Sequence, residues 1–240
     1  MKKVILFDLD GTLLPMDQED FIGAYFNILM KKLVELGLPV RNEDDKRALG
    51  EAVWKSTYAV MKNDGSCTNE DRFFSTFKQL TGLDLMDKRE ELDKFYSGDF
   101  NKVSAVCGKN SKVAQIICRL KSKGVRIAVA TNPLFPLSAN KSRLNWAGLS
   151  LEEFEFCTCY ENSCFAKPNL DYYRAIVEKL GVSADDCMMV GNDVREDMVA
   201  RELGMDVFLI TDCLINPDGR DINEFAHGNW DDFEKYVFEN

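Results

Sequence analysis

The chain has 240 residues, a hydrophobic fraction of 45% and a formal net charge of −10 at pH 7. That length allows one large domain or a core domain carrying a smaller one, and the apolar content sustains a real core. The acidity gives nucleic acid and anionic membranes no global electrostatic support, and no run approaches the roughly 20 apolar residues of a membrane span.

Val4-Ile5-Leu6-Phe7 runs straight into Asp8-Leu9-Asp10-Gly11-Thr12. An uninterrupted apolar run of this kind reads as a strand buried on both faces of a parallel sheet. Side chains alternate along a strand, so Asp8 and Asp10 leave it on one side with Leu9 opposite. Two acids at one strand end are costly to bury unless a cation lies beside them. The preceding Met1-Lys2-Lys3 faintly imitates an export signal, but the apolar run stops at Asp8, far short of the length such a signal needs. A soluble, cytoplasmic protein is expected.

Between about residues 17 and 97 the pattern is helical throughout. Residues 20–36 carry Phe21, Ile22, Tyr25, Phe26, Leu29, Leu33 and Leu36 at helical spacing, closed by Gly37 and Pro39. A second helix is predicted over 43–61, with Leu49, Val53, Ser56 and Val60 on one stripe and Trp54 and Tyr58 on its shoulder. A third, capped by Thr68 or Asn69, holds Phe73, Phe74, Phe77 and Leu80 and stops at Gly82. A shorter, charged one follows over 87–96. This stretch reads as an all-helical insert, residues 17–97, joined by hinges near Pro15–Asp17 and Ser97–Asp99. Most of its aromatic residues are expected in its own core.

From Asn110 onward helices and short apolar strands alternate: helix 111–121, strand 125–130, helix 137–146, strand 154–157, helix 170–180, strand 186–190, helix 194–203, strand 206–210 and a final helix 231–238. Such alternation specifies parallel βαβ units, so the fold expected is α/β, a Rossmann-like doubly wound parallel sheet formed by residues 1–16 and 98–240, with the helical insert on it. Ligands in such sheets bind at the carboxyl ends of the strands. Those ends carry Asp8 and Asp10, Thr131 and Asn132, and Asn192 and Asp193, with Lys167 in a loop before a helix. Polar residues end strands everywhere, and that plain reading suffices for Asp212.

The 8 cysteines are scattered, mostly in apolar patterns, as reduced core thiols are. Cys157, Cys159 and Cys164 depart from the paired spacing of zinc sites. The single histidine, His227, stands amid Gly and Asn with no partner motif and reads as a loop residue.

An aspartate is ordinarily ionised at neutral pH and can act as a nucleophile. Attack on a phosphoryl dianion requires neutralisation. Oxygen-ligated Mg²⁺ does this with one or two carboxylates, aided by a lysine such as Lys167 and a hydroxyl such as that of Thr131. The second acid, Asp10, can then serve as general acid and base, a role that needs its pKa raised, as a neighbouring carboxylate does.

These residues resemble the motifs of the haloacid dehalogenase (HAD) superfamily. Asp8-Leu9-Asp10-Gly11-Thr12 matches the first motif, Thr131 the second, Lys167-Pro168 the third, and Asn192-Asp193 with Asp197 the acidic fourth, in order across almost the whole chain. The helical insert is similar to the cap of members that act on small substrates. The resemblance implies Asp8 as nucleophile and metal ligand, and Asp10 as acid/base with its backbone carbonyl on the metal. Thr131, Asn132 and Lys167 would hold the phosphoryl group. In the fourth motif Asn192 stands where an Asp is commoner, so Asp193 is taken as the metal ligand, with Asn192 and Asp197 behind it; either could replace it. Asp10 argues against the dehalogenases and phosphonatases of the superfamily, and the lack of spans against its membrane ATPases. The implied activity is a Mg²⁺-dependent phosphatase acting on a small phosphorylated metabolite through an aspartyl-phosphate, with no nucleic-acid or membrane partner. The alternatives are a sugar phosphomutase similar to β-phosphoglucomutase and a non-catalytic phosphate-binding regulatory protein. A receiver-type signalling domain is too short, and oligomeric state is not legible.

Overall fold

The computed structural model describes residues 2–239. Strand β1 (Val4–Phe7) is followed by four helices, α1 (Gln18–Glu35), α2 (Glu43–Met61), α3 (Asn69–Thr81) and α4 (Arg89–Ser97). The rest alternates: α5 (Ser111–Ser122), β2 (Arg126–Val129), α6 (Leu137–Trp146), β3 (Phe156–Cys157), α7 (Leu170–Leu180), β4 (Cys187–Gly191), β5 (Asp206–Ile210), β6 (Ala226–Gly228) and α8 (Trp230–Glu239). The six strands form one all-parallel sheet in the order β3-β2-β1-β4-β5-β6. The fold is the α/β Rossmann-like one expected. The chain winds outward from β1 to β3 and then restarts at β4 on β1's other side, so the switch point of the sheet lies beside β1.

Strand alternation divides the core between the two faces. Ile5 and Phe7 pack in one apolar cluster with Ile117 of α5 and Phe233 of α8. Val4 and Leu6 pack in a second with Tyr172, Tyr173 and Ile176 of α7. All four β1 residues are fully buried, which is why the run carries no polar residue. No helix among the described residues is long and apolar enough to cross a membrane.

The predicted helix 43–61 coincides with α2, and its stripe Leu49, Val53, Ser56 and Val60 is buried. Asp17 caps α1, its Oδ1 accepting from the N–H groups of Glu19 and Asp20 at 2.9 and 3.0 Å. Of the two residues able to cap α3, Thr68 does so. After α4 comes a 3₁₀ helix, Asp99–Val106, that the sequence pattern did not announce; its Phe100 packs edge-on to Phe21 of α1. The outgoing and returning chains meet at a Met16–Cys107 bridge, where the Gly108 N–H donates to the Pro15 carbonyl at 2.7 Å.

Two further differences have local causes. The predicted helix 194–203 is a turn followed by a 3₁₀ helix, Met198–Leu203. Asp193 Oδ1 accepts from the N–H groups of Arg195 and Glu196 as an N-cap does, and the Asp197 N–H donates to the Asp193 carbonyl at 3.0 Å, so a capped turn opens there. By Ala200 the bonding has tightened to the 3₁₀ pattern, its N–H donating to the Asp197 carbonyl. His227 lies in β6, an edge strand of three residues, too short for an alternating pattern to show.

The start of α3 docks on loops of the sheet domain. Asn69 is fully buried; its N–H donates to Ser163 and its Nδ2 to the carbonyls of Pro133 and Phe165. Asn69→Ala leaves two buried carbonyls short of a donor, so a loss of about 1–3 kcal/mol is expected in urea unfolding. A change within a few tenths of a kcal/mol would show that water replaces the amide at no cost.

Candidate active site

Strand β1 ends at Phe7, and the Asp8 N–H still donates to Val190 of β4 at 2.8 Å, so Asp8 leaves the sheet at its switch point. The chain then turns tightly: Gly11 has φ +84°, and a Cβ there would overlap the Asn192 side chain. Glycine is therefore required twice over, for its backbone conformation and for the close approach of the fourth motif. Thr12 Oγ1 lies 3.2 Å from Asp8 Oδ2 and 2.9 Å from Asn192 Oδ1, bonding the first motif to the fourth.

The loop after β4 is fixed by its neighbours. Val194 donates to the Ile215 carbonyl, Ile215 to that of Asn192, and Asn192 Nδ2 to that of Cys213 at 2.6 Å. Asp197 Oδ2 accepts from the Asp193 N–H at 3.0 Å, and a Cβ on Gly191 would collide with the Asp197 carboxylate. On β2's side, the Thr131 carbonyl accepts from the buried hydroxyls of Thr158 and Tyr172 at 2.7 and 2.8 Å.

Lys167, 1% exposed, joins these ends. Its Nζ is 2.8 Å from Asp8 Oδ1 and 2.6 Å from Asp197 Oδ1. Burial alone would push this ammonium down, but Asp197 and Asp8 outweigh it and hold it well above the ordinary lysine value. It is a fixed positive charge beneath the carboxylates.

Asp10 sits in a different environment. Burial raises its pKa, Arg143 opposes this, and the Asp8 charge adds to the rise. A neighbouring carboxylate was the expected cause; loss of water is the larger one. Arg143 of α6 is fully buried and pairs with Asp10 Oδ2 and with Asn140, its guanidinium 4.3 Å from the centre of the Phe135 ring. Asp10 Oδ1 has no partner, so the arginine engages one oxygen and leaves the other.

Asp8, Asp10, Thr131, Asn132, Asn192, Asp193 and Asp197 all line one cavity of about 380 Å³, and Lys167 reaches it through Asp8 and Asp197. His227 does not line it. Three participants went unread in the sequence. Arg143 is one. Glu196, which accepts from Asn132 Nδ2 at 2.9 Å, is pushed up to about 8, burial being the main cause. Thr12 is the third, quoted in a motif but given no role. Glu196 had a signal, standing three residues after Asp193 in the acidic cluster.

The donors suit Mg²⁺. Asp193 is also raised, first by burial and in part by Asp8, so two acids with unfavourable mutual charge line one cavity. Both hydrogen bonds that the Asp193 carboxylate accepts fall on Oδ1, leaving Oδ2. Hard oxygen donors in small number are what Mg²⁺ takes, the remainder being water. Among the described residues no three or more His, Cys, Asp and Glu side chains are grouped to enclose an ion.

Residues 2–204 match the model of the haloacid dehalogenase-like hydrolases. The chain is 26% identical over 214 residues to a glyceraldehyde 3-phosphate phosphatase of Methanothermobacter thermautotrophicus, covering 88% of this chain and 86% of that one. It is also 26% identical over 214 residues to a phosphoglycolate phosphatase of Rhodospirillum rubrum, covering 88% and 80%. In fold it is similar to a HAD phosphatase of Thermococcus onnurineus, with a TM-score of 0.62, 22% identity and 98% of each chain covered.

Proposed function

We propose, for a chain that belongs to the haloacid dehalogenase-like hydrolases and is a phosphoric monoester hydrolase, a Mg²⁺-dependent phosphatase of small phosphorylated metabolites that works through an aspartyl-phosphate on Asp8. The observation that carries this reading is the pair of acids in unlike settings at one strand end. Asp8 is held by Lys167 and Thr12, whereas Asp10 is held by Arg143 through one oxygen only.

Asp8 attacks phosphorus as the ester P–O bond breaks, and Asp10 gives its proton to the departing alcohol oxygen. Asp10 then takes a proton from water, the water oxygen attacks the phosphorus of the aspartyl-phosphate, and phosphate leaves with Asp8 restored. Lys167 offsets charge on the phosphoryl oxygens, and the Thr131 hydroxyl and Asn132 amide donate to them. The ion would be held by Asp8, the Asp10 backbone carbonyl and Asp193, with Asn192 and Asp197 bracing that loop. When bound it supplies positive charge against the phosphoryl dianion. The helices of residues 17–97, with the 3₁₀ segment that follows them, form the cap over the site.

Phosphate release from a panel of monoesters tests the reading: turnover with Mg²⁺ that is lost on chelation is expected. Isomerised ester without free phosphate would replace it with a mutase. Asp193→Asn is expected to raise the Mg²⁺ concentration giving half-maximal rate by about 10–100-fold, the scale on which altered ligand spheres weaken metal affinity. An unchanged metal titration would move the ligand to another residue.

A further inference from the structure

The cavity is two-sided. Its floor carries five carboxylates: Asp8, Asp10, Asp193, Glu196 and Asp197. Its roof is apolar, built by α1 and α2 through Ile22, Phe26, Leu29, Val53, Trp54 and Met61. No lysine or arginine lines it among the described residues. The two buried cations beneath it are committed, Lys167 to Asp8 and Asp197, and Arg143 to Asp10 and Asn140.

The mouth is apolar as well. Ile22, Trp54 and Met61 are 36%, 50% and 39% exposed while lining the cavity, and Trp54 stacks on Phe26 with ring centroids 5.8 Å apart. Large apolar side chains on a helical surface that also open into a cavity mark where an apolar body enters. The neutral polar groups on the lining are few, among them Gln18, Thr57 and the Tyr25–Tyr96 hydroxyl pair at 2.8 Å.

Resting on the phosphatase reading, we infer that the substrate is the phosphate monoester of an uncharged, predominantly apolar alcohol, whose body lies between α1 and α2. A leaving group carrying its own carboxylate or a second phosphate would be desolvated against apolar walls and acids with no counter-charge. Phosphoglycolate is such a compound, so this chain departs from the substrate for which one of its relatives is named.

The test uses the full chain with Mg²⁺ and compares kcat/KM for hexyl and phenethyl phosphate with that for phosphoglycolate and glyceraldehyde 3-phosphate. The apolar esters are expected to lead by at least about 100-fold, from burial of several CH₂ groups against an unpaired charge. Equal or better turnover of phosphoglycolate or of glyceraldehyde 3-phosphate overturns the inference and leaves the phosphatase reading intact. No phosphate from any ester overturns both. Trp54, half exposed on a helix, can be changed without emptying the core. Trp54→Ala is expected to raise KM for hexyl phosphate about tenfold, and Trp54→Arg to narrow the preference over phosphoglycolate by a similar factor. If neither variant moves KM or the ratio, the alcohol does not lie between α1 and α2.

Discussion

Asp8→Asn is expected to lower phosphate release by about 10⁴-fold or more, the scale on which an enzyme falls when its nucleophile is removed. The substitution conserves volume: its amide oxygen, in the place of Oδ1, still accepts from Lys167 at 2.8 Å. Its Nδ2, in the place of Oδ2, can donate to Thr12 Oγ1, whose own proton goes to Asn192 Oδ1. Lys167 keeps its ion pair with Asp197. The fold should therefore survive, with a small shift in melting temperature, while the chemistry is lost. Mass spectrometry of enzyme quenched during turnover separates covalent catalysis from simple ion binding. A phosphorylated peptide spanning Asp8 is expected from the parent chain and none from the variant. Residual activity within a hundredfold of the parent would sink the role given to Asp8, and a phosphorylated peptide elsewhere would name its replacement.

What the sequence discloses and what it withholds follow from how far apart the partners lie. β1 is legible because four apolar residues meet two acids within a few positions, and α2 because its stripe from Leu49 to Val60 repeats over about three turns. The strand-end residues are legible because a parallel sheet must gather its carboxyl ends at one edge. Arg143 is not. Its partner Asp10 is 133 residues away, and α6 buries Ala139, Asn140, Ser142, Arg143, Leu144 and Trp146 around most of its circumference. A helix covered on most sides shows no apolar stripe, and a basic residue in its last turn reads as an ordinary complement to the helix dipole. β6 fails for a different reason. Three residues paired only to β5 leave no periodicity, so His227 looked like part of a loop.

The segment after β4 opens as a helix does but does not continue as one. Asp193 Oδ1 takes the Arg195 and Glu196 amides in the pattern of an N-cap, while Asp197 Oδ2 turns back to the Asp193 amide, and regular helix gives way to a 3₁₀ segment from Met198. The departure from pattern thus coincides with the site, as local rules tend to fail where function constrains the backbone.

Lys167→Met should cost both activity and stability, and the two losses can be separated. Its ammonium is 1% exposed and is bonded to Asp8 and to Asp197, itself 1% exposed. Replacing the charge by an apolar side chain of similar length leaves two carboxylates facing each other with little water. Removing one partner of a buried ion pair costs about 3–5 kcal/mol, which should appear as a lower urea midpoint at an unchanged m-value. Asp197→Asn relieves the repulsion created by that loss, so Lys167→Met/Asp197→Asn should be more stable than the sum of the single changes predicts, with a coupling of about 1–3 kcal/mol. Activity should not recover in the double variant, because no ammonium then stands beside Asp8 to offset charge on the phosphoryl oxygens. Additive stabilities would mean that Lys167 and Asp197 are not energetically paired. Recovery of turnover together with stability would mean that Lys167 serves the fold alone.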